Sequence, residues 1–175
     1  MSDKITKKFA KESASMMSEI VLPNDTNTQG NLMGGKLMYW MDIAGAIAAQ
    51  KHCNTQVVTA SVDNISFNNP IKTGNVITIE AKVTRSFRSS MEVFIRVWGN
   101  DLLRQEKHLT NEAYLTFVSL NSLGRPAEVP ELVPETGEEK EAFDGALRRR
   151  QLRLILSGKM KPEDADELKA IFGVR

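Results

Sequence analysis

The chain has 175 residues, a length that suits one domain with short extensions and disfavours two full domains. Its hydrophobic fraction of 41% and charged fraction of 26% are ordinary for a globular protein. With 23 basic and 22 acidic residues the net charge is only +1, which argues against nucleic acid or a membrane as a partner.

The first part of the chain predicts a tail, a strand, a polar turn and a long helix. Residues 1–11 are charged and are expected to form a flexible tail, and SASMMSEIVLP is typical of a strand that Pro23 ends. The sequence shows neither the apolar core of a signal peptide nor a membrane-spanning stretch, so we expect a cytoplasmic protein. From Met33 to about His52 apolar residues cover most of a helix circumference, which predicts a helix that is buried rather than laid on a surface.

Four strand-like segments follow the helix: TQVVTASVDNISF, NVITIEAKVTRSF, SMEVFIRVWG and HLTNEAYLTFVSLN. Apolar residues alternate with polar ones most clearly in the second and third segments, at Ile77, Ile79, Ala81 and Val83 and at Met91, Val93, Ile95 and Val97. One helix cannot cover both faces of one antiparallel sheet unless the strands curl around it and a second copy completes the packing.

The C-terminal part predicts a proline-containing linker and two short helices. EEKEAFDGALRRRQLRLIL is expected to be a helix that stops at Gly158, and PEDADELKAIF a second helix with Pro162 in its first turn. The basic run at 148–153 is more typical of a solvated amphipathic face than of a nucleic-acid surface, because acids precede it and its apolar neighbours follow helical spacing. We therefore expect a central domain at 12–130, followed by a linker and helical extension at 131–175.

An isolated acid lies within the long apolar helix. Asp42 is flanked by Met41 and Ile43, where an unpaired carboxylate would be costly to bury. We therefore expect it to have a chemical role. The alternative is a carboxylate that hydrogen bonds satisfy at a subunit contact.

Two glycines lie where this helix begins. Gly34 and Gly35 would let a substrate approach backbone N–H groups that have no helical partner, as in an oxyanion site, although they are equally consistent with a tight turn. Eight residues separate Gly34 from Asp42, so the two stand about 12 Å apart along the helix axis. Two copies with antiparallel helices would bring the glycines of one against the acid of the other. This predicts a dimer with shared sites.

Few residues are suited to metal or histidine chemistry. One cysteine, Cys53, excludes an internal disulfide and any multi-cysteine metal site. His52 and His108 are the only histidines, and we assign them to a helix end and a strand start. We therefore expect no metal centre.

The segment PNDTNTQGNLMGGKLMYWMDIAGAI and the order of elements resemble the hotdog-fold acyl-CoA thioesterases of the broad-specificity bacterial (YciA) and brain acyl-CoA hydrolase type. The resemblance runs from about Ser13 to Pro130. That family carries a D-x-N-x-x-G-[ND]-x-x-G-G segment before its helix and an acid fifteen residues after the asparagine, a spacing that Asn27 and Asp42 keep. It implies an α+β hotdog fold, in which a curved antiparallel sheet wraps one long buried helix, with a C-terminal helical extension.

The resemblance implies hydrolysis of a fatty acyl-CoA to free fatty acid and CoA, with the CoA thioester as substrate and no cofactor. Asp42 would act as general base on water, or alternatively as a nucleophile that forms an anhydride. Asn27 of the opposite subunit would hold the water or the thioester, and Thr59 would steady the acid. The Gly34 or Gly35 amide would take the developing oxyanion. Judged without the resemblance, Asn27 is a typical turn residue and Thr59 a typical strand residue.

The same resemblance assigns the contacts to CoA. The FRSS turn would offer Arg88, Ser89 and Ser90 to the phosphates, with a solvated hairpin tip as the alternative. Phe67 and Pro70 would border the pantetheine arm, although core packing explains Phe67 nearly as well.

Two other hotdog functions are alternatives to hydrolysis. A dehydratase needs a histidine paired with the acid, and none occurs in the polar turn or the early helix. A non-catalytic acyl-CoA sensor is the rival from another class, but the acid at Asp42 is present and the tail has no convincing helix-turn-helix. We expect the tail after Gly137 to support assembly beyond the dimer, as a hexameric trimer of dimers.

Overall fold

The structure is a computed structural model, and it describes residues 6–63, 65, 67 and 69–172. The chain forms two compact units, Met1–Val133 and Pro134–Arg175. The elements are strands β1 (Lys7–Phe9), β2 (Ser15–Ile20), β3 (Gln56–Val62), β4 (Val76–Ser86), β5 (Ser90–Asp101), β6 (Glu106–Leu120) and β7 (Glu131–Val133), and helices α1 (Gly34–Cys53), α2 (Gly137–Leu156) and α3 (Asp166–Phe172).

The first unit is built on a five-stranded antiparallel sheet in the order β2-β4-β5-β6-β3. The predicted alternation on β4 and β5 is confirmed, because the residues of one face are no more than 2% exposed: Ile77, Ile79, Ala81, Val83, Met91, Val93, Ile95 and Val97. Register shifts leave one extra residue in each of β3, β4 and β6, and such β-bulges bend and twist strands. The sheet therefore curls, as the hotdog fold requires.

Helix α1 packs closely against this sheet. A Cβ atom at Gly45 would lie 2.9 Å from the ring of Phe117 and 3.2 Å from Ile95, so only glycine allows this approach. On the side of α1 that faces the sheet, the helix is buried as the sequence predicts. On the other side Met38, Tyr39 and Ile47 are 41%, 58% and 41% exposed, because no element described in this chain covers them.

The expected N-terminal tail differs from the structure. Residues 1–5 lie outside the described residues, but Lys7–Phe9 form β1, which pairs in parallel with β7. Leu132 of β7 is only 1% exposed, and its amide donates to Ser86 Oγ at 2.8 Å. The predicted linker thus contains a strand. Each strand is three residues long, too short to carry a periodic pattern.

The second unit contains α2 and α3, in the order that the sequence predicts. Thr136 Oγ1 accepts from the Glu139 amide at 3.2 Å, and Glu139 Oε2 accepts from the Thr136 amide at 3.3 Å. This capping box explains where α2 begins. Pro162–Asp164 form a 3-10 turn before α3, and the Leu168 amide of α3 donates to Gln151 Oε1 of α2 at 3.2 Å.

Candidate active site

Asp42 lies on the flank of α1, beside the edge strand β3 of the sheet. Its carboxylate is half-buried, and Thr59 of β3 donates from Oγ1 to Asp42 Oδ1 at 2.5 Å. Within the described part of the chain, Asp42 Oδ2 has no hydrogen-bond partner. The acid and the hydroxyl that the sequence selected therefore lie together, with one carboxylate oxygen available to a ligand.

The N-terminal end of α1 is open. No side chain of the described residues caps it, and the first helical amides to donate are those of Lys36 and Leu37, both to the Met33 carbonyl. The Gly34 and Gly35 amides have no hydrogen-bond partner among the residues that the structure describes. A helix N-terminus with free amides attracts negative charge.

The two glycines differ in their surroundings. A Cβ at Gly34 would lie 3.3 Å from the ring of Phe67, so this ring lies directly over the helix start. At Gly35 no atom comes within 4 Å of such a position. Gly35 and Asp42 are seven residues apart and share one face of the helix. Pro70 is exposed and lies beyond Phe67 in the same connection.

Asn27 forms the polar turn before the helix. Its side-chain Oδ1 accepts from the amides of Gln29 and Asn31, at 2.9 and 3.2 Å, which is an Asx turn. Gly30 follows with φ of +72°, a conformation that favours glycine. The Asn27 side-chain amide has no partner within the described ranges. No hydrogen bond joins Asn27 to Asp42 in the part of this chain that the structure describes.

A partly buried ion pair between the turn and the helix was missed from the sequence. Asp25 is 5% exposed, and its Oδ1 lies 3.1 Å from Lys36 Nζ. The two residues are eleven positions apart across a turn, so no helical or strand spacing relates them. A signal was present nevertheless, because Asp25 is the aspartate of the D-x-N segment that carries Asn27.

The predicted phosphate-contacting turn joins β4 to β5. Arg88 is exposed, and the Ser89 carbonyl accepts from the Ser119 amide at 2.9 Å. Arg88 and Ser89 line a cleft of about 280 Å³ together with Pro126 and Glu128, two residues that the sequence did not single out. Ser90 begins β5, where it is paired across the sheet with Val118 of β6.

Neither histidine lies in this region of the molecule. His52 is fully buried near the end of α1 and donates from Nε2 to the Pro130 carbonyl at 2.9 Å. Its Nδ1 has no partner among the described residues. Burial lowers the pKa of His52, and Lys8 adds to this, while the hydrogen bond to Pro130 opposes it.

Over the described ranges, no three His, Cys, Asp or Glu side chains are arranged to hold a metal ion. No described helix combines the length and apolarity needed to cross a membrane.

The sequence matches the thioesterase superfamily over residues 29–104. It is 42% identical over 142 residues to the uncharacterized acyl-CoA thioester hydrolase YkhA of Bacillus subtilis, an alignment that covers 81% of this chain and 83% of that protein. It is 38% identical over 154 residues to the cytosolic acyl coenzyme A thioester hydrolase of Rattus norvegicus. That match covers 86% of this chain but only 40% of the longer rat protein.

Solved structures agree with these relatives. An apo-hexameric acyl-CoA thioesterase superposes with a TM-score of 0.84 at 38% identity, covering 87% of this chain and 98% of that one. The acyl-CoA hydrolase of Staphylococcus aureus, solved with butyryl coenzyme A, coenzyme A and coenzyme A disulfide, superposes with a TM-score of 0.80 at 39% identity, covering 87% and 95%. It has also been crystallised with a single aspartate, asparagine or threonine replaced by alanine. The chain therefore belongs to the hotdog-fold acyl-CoA thioester hydrolases of the thioesterase superfamily.

Proposed function

We propose that this protein hydrolyses fatty acyl-CoA to a free fatty acid and CoA, with Asp42 as the general base. Asp42 removes a proton from water as the water oxygen bonds to the thioester carbonyl carbon. The carbon–sulfur bond then breaks, and the proton passes to the departing CoA thiolate. Atoms and charge balance without a metal or a redox cofactor.

The contact between Thr59 and Asp42 is the observation that carries this proposal. A hydroxyl donating to Oδ1 fixes the carboxylate in one orientation. Since Oδ2 has no partner in the described part of the chain, it is the oxygen that would accept the proton of water. The pair is on the open side of α1, where a substrate has access.

The oxyanion would be bound by amides of a second copy. Within one chain Gly34 and Asp42 stand about 12 Å apart along α1, too far to act on one carbonyl. An antiparallel partner helix would bring the partner's glycine end to this Asp42, and this Gly35 to the partner's acid. A free amide aimed at the developing negative charge is worth several kcal/mol in hydrolases.

Two exposed surfaces support such a dimer. The open side of α1 exposes Met38, Tyr39 and Ile47, and β3 is an edge strand of the sheet that exposes Val58 and Val62. Apolar side chains on an unpaired edge strand favour pairing with another chain. The two surfaces meet at the contact between α1 and β3, so a partner that covers both would also complete the site.

The Staphylococcus aureus variants support the choice of residues. In that protein the replaced asparagine and aspartate are fifteen residues apart, and the aspartate and threonine seventeen. Asn27, Asp42 and Thr59 have the same two spacings. We propose that Asn27, whose side-chain amide is free to donate within the described residues, holds the water or the thioester of the neighbouring subunit.

CoA would lie along the end of the sheet that carries Thr59. Ser90 is paired with Val118, and Val118 with Val58, the residue before Thr59. The FRSS turn is thus about two strand spacings, or about 10 Å, from β3. We propose that Arg88, Ser89 and Ser90 bind phosphate there, and that Phe67 and Pro70 border the pantetheine arm.

The test is a thiol-release assay over acyl-CoA substrates of increasing chain length. We expect turnover on at least part of the series, with saturation at micromolar to millimolar substrate. A protein that binds acyl-CoA but releases no thiol from any substrate would contradict hydrolysis and favour an acyl-CoA sensor.

Subunit mixing tests whether the sites are shared. Asn27→Ala and Asp42→Ala subunits are each expected to be impaired. A dimer with one subunit of each kind keeps one site in which both residues are intact, so mixing should restore part of the activity. No recovery in demonstrably mixed dimers would contradict a shared site.

We further propose a cytoplasmic enzyme that assembles as a trimer of dimers and uses no nucleic-acid or membrane partner. The rat relative is named cytosolic, and the structural neighbour cited above is hexameric. In the basic run of α2, Arg149 donates to the Ala142 carbonyl at 2.8 Å rather than extending freely. Deleting residues 138–175 should lower the oligomer mass in light scattering, and an unchanged mass would contradict a role for the extension in assembly.

A further inference from the structure

The polar turn is attached to the first turn of α1 through one residue. Three contacts of Asp25 matter here: its Oδ2 accepts from the Leu22 amide at 3.1 Å, its Oδ1 pairs with Lys36 Nζ at 3.1 Å, and its backbone carbonyl accepts from the Met33 amide at 2.9 Å. Asp25 therefore holds both the residue that precedes α1 and a residue of the first helical turn.

Lys36 is itself held in place. Its ammonium group lies 5.6 Å from the ring centre of Tyr39 and 5.0 Å from that of Trp40, within the range of cation–π attraction. Trp40 is buried against the sheet side of the helix. The ion pair thus connects the turn to a fixed part of the fold, and breaking it would leave a nearly buried carboxylate without its counter-charge.

Gly34 and Gly35 lie between the two anchored positions Met33 and Lys36. Glycine has more backbone freedom than any other residue, so two consecutive glycines do not by themselves fix the direction of their N–H groups. An oxyanion site works only if its donors already point at the developing charge. Something outside the glycines must therefore hold them.

We propose that Asp25 is a positioning residue, whose ion pair with Lys36 fixes the direction of the Gly34 and Gly35 amides. The inference rests on the proposed function, since it assumes that these amides receive the oxyanion. Asp25 and Lys36 need not touch the substrate. Their effect is on the transition state, so it should appear in kcat and leave KM nearly unchanged.

The first variant is Asp25→Asn, which keeps the size of the side chain and its acceptor for the Leu22 amide but removes the charge opposite Lys36. We expect kcat to fall about tenfold with KM within about twofold of the wild type. Lys36→Met should give a similar loss, and Lys36→Arg, which can restore the ion pair, should recover most of it. The double variant Asp25→Asn, Lys36→Met should be no slower than the worse single variant, because both remove one interaction.

Hydrogen exchange of the peptide that covers residues 30–37 reports on the position of the amides without relying on turnover. Asp25→Asn should speed exchange in this peptide, while the melting temperature shows that the protein remains folded. The matched control is Glu112→Gln, which removes the ion pair between Glu112 of β6 and Arg96 of β5, whose charged atoms are 2.9 Å apart. This variant should change neither kcat nor hydrogen exchange in the peptide.

The outcomes separate the two proposals. Unchanged kcat in Asp25→Asn, in a wild type that hydrolyses acyl-CoA, overturns the positioning role and leaves the hydrolase assignment intact. A raised KM with normal kcat overturns it too, because that pattern indicates substrate contact. A wild type that hydrolyses no acyl-CoA overturns the proposed function and, with it, the oxyanion role assumed here.

Discussion

At the C-terminal end of helix α1 the protein's own groups pair with the free carbonyls, whereas at its N-terminal end the amides of Gly34 and Gly35 have no partner among the described residues. Lys8 Nζ donates to the Lys51 carbonyl at 2.7 Å and to Asn54 Oδ1 at 3.3 Å. Asn54, in the left-handed conformation with φ of +55°, donates its amide to the Gln50 carbonyl at 2.8 Å.

Every helix leaves unpaired N–H groups at one end and unpaired carbonyls at the other. Here the carbonyl end receives a cation and a left-handed cap, both of which stabilise the fold. The amide end receives no side-chain cap from the part of the chain that the structure describes, so it is available to a ligand. The comparison predicts that changes at the N-terminal end or on the open side of α1 reduce activity. Changes at the C-terminal end of α1 should instead reduce stability.

The largest effect is expected on the open side of the helix. Asp42→Ala should lower kcat at least about a hundredfold, the usual scale for removing a positioned base. The melting temperature should stay near that of the wild type. Glu19→Gln, which changes an exposed acid on β2, is the control and should keep full activity. An Asp42→Ala protein with most of its turnover would contradict the general-base assignment.

Thr59→Val should reduce kcat about tenfold, because it removes the hydroxyl that orients Asp42 while preserving the shape of the side chain. Valine suits a strand at least as well as threonine, so stability should be unaffected. Steady-state kinetics and thermal unfolding together check this. Wild-type kcat would mean that Thr59 acts only as a strand residue.

At the closed end, Lys8→Met should cost about 1 kcal/mol of unfolding free energy, about fivefold in the folding equilibrium, because it removes a cation from the helix carbonyls. Turnover per folded protein should not change. Lys7→Met is the matched control: Lys7 pairs with Glu131 at 3.2 Å, but both side chains are more than 60% exposed, so its loss should be nearly neutral. Urea unfolding distinguishes them, and equal midpoints would contradict the cap.

The smallest effect is a change in pH dependence. Below about pH 6.5, the ordinary pKa of histidine, an unfolded chain protonates His52, whereas the lowered pKa keeps the folded protein neutral at this position. Unfolding is therefore favoured as the pH falls, until it drops below the lowered pKa. His52→Gln should remove this contribution in urea titrations at pH 7.5 and 5.5. An unchanged pH dependence in the variant would contradict it.

The sequence predicted the parts of the fold that local patterns encode. Alternating apolar residues located β4 and β5, and the apolar stretch from Met33 located α1 to within a residue or two of its ends. Asp42 and Thr59 were selected because an acid in an apolar helix is costly and because their motif has a recognisable spacing. Their mutual contact depends on the α1–β3 crossing, which no pattern in either segment encodes.

The parts that were not predicted depend on pairing between distant segments. Asp25 was overlooked because its partner Lys36 is defined by how the turn folds back on the helix. Lys8 was assigned to a flexible tail because a short charged segment resembles one. Its burial follows from the pairing of β1 with β7, which lies at the other end of the unit.

The parallel pairing of β1 with β7 joins the beginning of the first unit to its last residues. β1 and β7 are hydrogen-bonded neighbours, so the first strand that the structure describes runs alongside the last three residues of the first unit. A shortened protein that begins at residue 12 and stops at residue 130 would lose both strands and the lysine that closes α1. A minimal version of the catalytic unit should instead run from residue 6 through Val133. In the full chain, an affinity tag is better joined after Arg175 than placed directly before Lys7.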